Sequence, residues 1–127
     1  VKALVVDDSR AMRRIIARYL QDLGFEVHEA ASGLEALVAA PKLEGLRLIL
    51  LDWNMPEMDG RTLLQRLRDD PEFADIPIMM VTTESEMEQV EVALQAGASE
   101  YLMKPFDRQA LLEKLLLLGF DIDRKAA

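Results

Sequence analysis

The run Leu48-Ile49-Leu50-Leu51 ends directly in Asp52, and Trp53-Asn54-Met55-Pro56 follows it. Four consecutive apolar residues are too few for an ordinary helix and do not alternate with polar ones. The pattern is that of a strand buried on both faces, which in turn requires a parallel sheet with helices packed above and below it. Asp52 then stands at the carboxyl end of that strand, where the chain leaves the sheet. Pro56 has no N–H to continue a ladder, and Asp59-Gly60 marks a turn before the next helix. A carboxylate in such a place can be a helix cap, a metal ligand or a nucleophile.

The remainder of the chain alternates strand and helix signals. Residues 2–6 form an apolar strand ending in Asp7-Asp8. A helix over residues 9–23 buries one face through Met12, Ile15, Ile16, Tyr19, Leu20 and Leu23, and Gly24 closes it. A less apolar strand, suited to a sheet edge, covers residues 25–30. Ser32 caps a helix with Leu34, Leu37 and Val38 at helical spacing, which Pro41 ends. The strand over residues 47–52 precedes a helix over residues 60–68, buried through Leu63, Leu64 and Leu67. Residues 78–81 are a fourth strand running into Thr82-Thr83. Residues 86–95 are a helix, thinly apolar through Met87, Val90 and Leu94 and closed by Gly97. A fifth strand at residues 99–103 leads into Lys104-Pro105, and a final helix at residues 107–118 carries Leu111, Leu112, Leu115, Leu116 and Leu118. From Gly119 the chain reads as a frayed tail. Five strands alternating with five helices define an α/β domain with a parallel sheet, helices on both faces and a ligand site outside the carboxyl ends of the strands.

Those carboxyl ends hold Asp7, Asp8, Asp52, Thr82 and Lys104. Taken singly, each has a plain structural explanation: one of the first two aspartates caps the first helix, Asp52 caps a loop, Thr82 suits a strand and Lys104 lies at the surface. Taken together they call for a cation. Two carboxylates about 4 Å apart repel by roughly 4 kcal/mol at an effective dielectric near 20, and a divalent ion removes that penalty. Hard oxygen ligands without histidine or cysteine favour Mg²⁺ or Mn²⁺ over zinc, and Mg²⁺ leaves positions free for water and a phosphate.

Composition narrows the function. With a formal net charge of −8 over 127 residues, the chain is a poor direct ligand for nucleic acid. Arg10, Arg13, Arg14 and Arg18 cluster on the first helix and read as a solvated face. There is no cysteine, which excludes disulfides and thiolate metal sites. No apolar run is long enough for a membrane span, so neither a membrane nor a nucleic acid is expected as partner. His28, on the edge strand, is assigned no role. The sequence opens at Val1, inside the first strand, which fits a piece trimmed from something longer.

Val5-Val6-Asp7-Asp8, Asp52-Trp53-Asn54-Met55-Pro56 with Met58-Asp59-Gly60, Val81-Thr82 and Tyr101-Leu102-Met103-Lys104-Pro105-Phe106 occur in order and at matching spacing. Together they resemble the receiver domain of bacterial two-component response regulators, most of all its single-domain chemotaxis members, to about Leu118. The resemblance implies a flavodoxin-like, doubly wound (βα)5 fold with strand order 2-1-3-4-5. It implies a receiver over residues 1–119 and a tail over residues 120–127. It makes Asp52 the phosphoacceptor, with Lys104 and Thr82 contacting the phosphoryl group. Mg²⁺ would be held by Asp8 and Asp52, by Asp7 through water and by the Asn54 carbonyl. A cis peptide is implied at Lys104-Pro105. Thr82 and Tyr101 would form the switch, and Asn54, Thr83 and Glu84 would tune the lifetime of the phosphoryl group. Ser85, Val90, Tyr101, Met103 and Lys114 would form the output face.

The implied partners are a sensor histidine kinase or phosphotransfer protein and a downstream target such as a flagellar motor switch protein, in the cytoplasm. A receiver cut from a larger regulator or hybrid kinase carries the same motifs. Two other functions share part of this pattern. Aspartyl-nucleophile phosphatases of the haloacid dehalogenase type need a second aspartate where this chain has Asn54, which cannot act as a general acid. A receiver-like module that only binds proteins would not require Asp7, Asp8, Asp52, Thr82 and Lys104 together. The expectation is a signalling domain that assists its own phosphorylation and dephosphorylation, without enzymatic turnover of other substrates.

Overall fold

The computed structural model describes residues 1–122. Five strands, β1 (Lys2–Val6), β2 (Glu26–Ala30), β3 (Leu46–Asp52), β4 (Ile78–Thr83) and β5 (Glu100–Lys104), alternate with five helices. These are α1 (Arg10–Asp22), α2 (Gly33–Ala39), α3 (Gly60–Asp69), α4 (Val90–Gln95) and α5 (Arg108–Leu117). Every strand pair is parallel and the order is β2-β1-β3-β4-β5. The most apolar strands, β1, β3 and β4, fill the middle, and the polar β2 lies at an edge, as its composition implies.

Strand alternation divides the core in two. Leu4, Val6, Ile49, Leu51, Ile78 and Met80 face α2, α3 and α4. Ala3, Val5, Leu48, Leu50, Met79, Val81 and Leu102 face α1 and α5. Each fully buried aliphatic side chain contributes about 1.5–3 kcal/mol, so both layers drive folding and together fix the register. Side-chain caps set the helix starts: Ser9, Ser32, Asp59 and Asp107 accept from the backbone of Met12, Glu35, Thr62 and Ala110.

Several expectations from periodicity need correction. Ile15 in α1, Leu34 and Val38 in α2 and Leu94 in α4 are exposed; Ile16 is buried as expected, and Ala17, Ala36 and Ala93, which the apolar pattern does not single out, are buried with it. The small residue sits closest to the sheet, and the larger neighbours one or two positions away are pushed to the flank. The helix expected over residues 86–95 is α-helical only from Val90, because Glu84–Gln89 is a 3-10 helix with no buried residue. Pro41 does not simply stop α2; it lies within a 3-10 turn over Ala40–Lys42. The chain after Gly119 is not frayed as far as Ile122: Phe120 meets Phe25 edge to face at 5.4 Å, and both Phe120 and Ile122 pack on the α1/α5 layer. The tail expected over residues 120–127 otherwise lies outside the described residues.

Gly60 is required by close approach. A Cβ there would lie 2.6 Å from the Asp52 carbonyl oxygen and 2.7 Å from the Trp53 Cα. The Gly60 amide donates to the Trp53 carbonyl at 3.0 Å, which docks the start of α3 against the end of β3.

Candidate functional site

Asp7 follows β1, Asp52 ends β3, Thr82 and Thr83 end β4 and Lys104 ends β5, so the parallel sheet delivers all of them to one rim. Asp7 and Asp52 are 1% and 6% exposed, whereas Asp8 is open to solvent. One carboxylate oxygen from each of the three lies within 4.8 Å of the others. The Lys104 ammonium reaches Asp7 Oδ2 at 3.3 Å and Asp52 Oδ1 at 3.5 Å. Three carboxylates therefore face one ammonium. Burial, and next the neighbouring Asp7 charge, raise the Asp52 pKa from 3.8 to about 6, against the opposing pull of Lys104. Each carboxylate supplies hard oxygen donors at mutual distances that one small divalent cation can span, so the donor set fits Mg²⁺ or Mn²⁺.

The loops around these groups are fixed locally. Asp7 Oδ1 accepts from the Ser9 amide at 2.8 Å, but Ser9 itself caps α1, so neither aspartate is consumed as the helix cap. The backbone N–H of Asn54, whose side chain is exposed, donates to Asp52 Oδ1 at 3.3 Å. The peptide Lys104-Pro105 is cis. Thr82 is fully buried, and its hydroxyl has only a long bond, 3.3 Å, to the Thr83 carbonyl. Thr83 is engaged as a cap: its hydroxyl meets Glu86 Oε1 at 2.8 Å and Ser85 Oγ at 2.9 Å. Glu84 is exposed beside it.

The expected output residues separate into two groups. Ser85 and Met103 are exposed, and Lys114 is half-buried. Val90 is 8% exposed and belongs to the core at the start of α4, so it is not a surface residue. Tyr101 is half-buried; the Lys114 ammonium lies 4.1 Å from its ring centroid and bonds Glu100 Oε1 at 3.1 Å. Trp53 adjoins Asp52 in the chain, yet its ring packs in the α2/α3/α4 layer, where its indole N–H donates to Gln89 Oε1.

Two arginines do more than their sequence context signals. Arg13 is not part of a solvated face: its side chain is 14% exposed, and Nη1 donates to the Asp7 carbonyl at 2.7 Å. Arg68, at the opposite end of the sheet, donates to the carbonyls of Gly97, Phe73, Ala74 and Ile76 and to Ser99 Oγ. The only sequence signal for either is a cation on a helix flank, which ordinary surface arginines share.

The chain is similar to known proteins over most of its length. The family model for the response regulator receiver domain matches residues 3–116. Chemotaxis protein CheY1 of Helicobacter pylori is 47% identical over 121 residues, 94% of this chain and 98% of that protein. A chemotaxis protein CheY homolog of Campylobacter jejuni is 47% identical over 116 residues, 91% of this chain and 89% of that protein. Among solved structures, chemotaxis protein CheY4 of Vibrio cholerae superposes with a TM-score of 0.86 at 38% identity, covering 92% of this chain and 97% of that one.

Proposed function

Because the chain belongs to the response regulator receiver family of two-component systems, a family of signalling domains modified on aspartate, we propose that Asp52 is its phosphoacceptor. The observation that supports this assignment is the convergence of Asp7, Asp8 and Asp52 within 4.8 Å, with Lys104 against two of them. An Asp52 oxygen attacks phosphorus, the new O–P bond forms, and the bond to the donor's nitrogen or oxygen breaks. With a pKa of about 6, the carboxylate is mostly ionised near neutral pH and can act without a separate base.

Phosphoryl transfer depends on positioning and charge neutralisation more than on covalent help. Lys104 supplies one fixed positive charge to the transferring oxygens. Asp7, Asp8, Asp52 and the Asn54 carbonyl are the groups that would hold Mg²⁺, or Mn²⁺ in its place; the bound ion supplies the further positive charge. Thr82 turns its weakly held hydroxyl to the phosphoryl group and transmits the change to Tyr101 at the face formed by Ser85, Tyr101, Met103 and Lys114. Asn54, Thr83 and Glu84 border the acceptor and set the access of hydrolytic water.

The chemotaxis names of the relatives favour a cytoplasmic signal passed from a histidine kinase or phosphotransfer protein to a motor switch protein. The chain takes up its phosphoryl group with its own residues and turns over no other substrate. Incubation with acetyl phosphate and Mg²⁺ tests the assignment by mass spectrometry. The wild type is expected to gain one hydroxylamine-labile phosphoryl group and Asp52→Asn none. A wild type that gains nothing, or an Asn variant that gains as much, overturns it.

A further inference from the structure

We propose that Arg13, oriented by Glu29, is the positioning residue that holds Asp7 and Asp8 in ligand geometry; this rests on the metal reading above. Arg13 Nη1 donates to the Asp7 carbonyl at 2.7 Å. That carbonyl belongs to the peptide unit joining the two aspartates, so one hydrogen bond fixes the plane from which both side chains depart. Without it the loop between β1 and α1 is held by the Asp7 amide on the Ala30 carbonyl, by Asp7 Oδ1 on the Ser9 amide and by Asp7 Oδ2 on the Lys104 ammonium. None of these restrains Asp8, which is exposed.

Arg13 is itself fixed from a different strand. Its Nε meets Glu29 Oε1 at 3.3 Å, and Arg14 meets the other oxygen of Glu29 at 3.5 Å. Glu29 stands on β2 opposite Val5 of β1, in the ladder that carries Asp7 to the rim. The planar guanidinium is thus held along one edge by a carboxylate and aimed along another at a carbonyl, a two-point hold that a lysine cannot reproduce. The pairing has an electrostatic consequence too. A cation beside three carboxylates is a competitor for the metal, and Glu29 engages this one so that Arg13 spends its free donor on a neutral carbonyl.

Groups that orient metal ligands from behind typically govern affinity by about 10–100-fold. Mg²⁺ binding is measured by calorimetry at a temperature where each protein is fully folded, with thermal melts in EDTA alongside. Arg13→Lys keeps the charge and is expected to weaken Mg²⁺ about tenfold. Glu29→Gln is expected to weaken it by a smaller factor, and to have no further effect when added to Arg13→Lys, because both act through one bond. A merely structural role would lower the melting temperature and leave the affinity of the folded protein unchanged. Equal affinity in wild type and folded Arg13→Lys overturns the inference, as does a Glu29→Gln effect that persists in full without Arg13. A wild type that binds no Mg²⁺ overturns the metal reading itself, and this inference with it.

Discussion

The two ends of the sheet bury charge in opposite ways. At the amino ends of β4 and β5, Arg68 meets four carbonyls and a hydroxyl, at 2.7–3.2 Å, all of them neutral. At the carboxyl ends, Asp7 and Asp52 are more deeply buried than Arg68 and share one ammonium, with Asp8 beside them. Among the described residues no buried polar side-chain atom lacks a hydrogen-bond partner, so what distinguishes the carboxyl rim is uncompensated charge. Fixed dipoles satisfy the cation at one end and close the structure around it. At the other end the repulsion persists until a cation and a phosphoryl group arrive, which is what a site that answers to occupancy requires.

The largest expected effect lies at the satisfied end. Arg68→Ala removes the shared donor of three loop segments, around Phe73, Ile76 and Gly97, and leaves partly buried carbonyls without it. Hydrogen bonds to a charged group contribute about 1.5–3 kcal/mol each, and water can replace some of these, so a loss of roughly 3–4 kcal/mol is expected in urea unfolding. At a temperature where the variant is folded, its uptake of phosphoryl from acetyl phosphate should match wild type. A variant that stays fully stable would show that the five contacts are incidental.

Arg68 and Arg13 also mark where reading the sequence stops. The strands were legible because parallel strands covered on both faces are continuous apolar runs, and the ends of those runs deliver Asp7, Asp52, Thr82 and Lys104 to one rim. The acceptors of Arg68 lie 5–31 residues away in the chain, and four of the five are backbone atoms. Backbone acceptors are present at every position and leave no mark in a sequence. Periodicity likewise fixes which side of a helix faces the sheet but not which residue at the margin is covered, hence Ile15, Leu34 and Val38 in solvent. Trp53 adjoins Asp52 in the sequence, but strand alternation carries its ring into the core layer.

At the charged end the sign of the effect reverses. A carboxyl raised from 3.8 to about 6 stabilises the fold below its unfolded pKa, and that contribution is lost as pH rises through 6. Asp52→Asn removes the titration. In EDTA the Asn variant should match wild type near pH 3 and exceed it increasingly from pH 4 to 7, to a limit of about 3 kcal/mol. Millimolar Mg²⁺ should reduce the gap by stabilising wild type. A difference independent of pH would mean that repulsion at Asp52 is not what the substitution relieves.

Thr82→Ala should have a smaller effect on chemistry than on output. The acceptor, the candidate ligands and Lys104 remain, so acetyl phosphate should still modify Asp52, up to tenfold more slowly if one charge-assisted hydrogen bond worth about 1.4 kcal/mol is lost. Fluorine NMR of 3-fluorotyrosine reads the coupling, since Tyr19 and Tyr101 are the two tyrosines of the chain. Modification should shift the Tyr101 resonance in wild type and leave it in place in Thr82→Ala. A shift of equal size in both proteins would remove Thr82 from the switch.

The smallest expected signal comes from Trp53, which adjoins Asp52 in sequence and bonds Gln89 in the 3-10 turn before α4. The indole is 4% exposed, so bulk quenching contributes little and emission reports the local field and the N–H bond. A cation at Asp8 and Asp52 alters that field at short range. Mg²⁺ should therefore produce a saturable, modest quench, weakened strongly in Asp8→Ala and less in Asp7→Ala, whose ligand is expected to act through water. Calcium should substitute poorly in a small site that favours octahedral geometry. Gln89→Leu removes the acceptor without touching the rim; it should shift wild-type emission to the blue in the absence of metal and leave the Mg²⁺ midpoint unchanged. A midpoint that moves with Gln89→Leu would mean that the turn before α4 and the acidic rim are energetically coupled through Trp53. A flat titration, with binding established by calorimetry, would mean that burial in the core layer isolates the indole from the charge next to it in the chain.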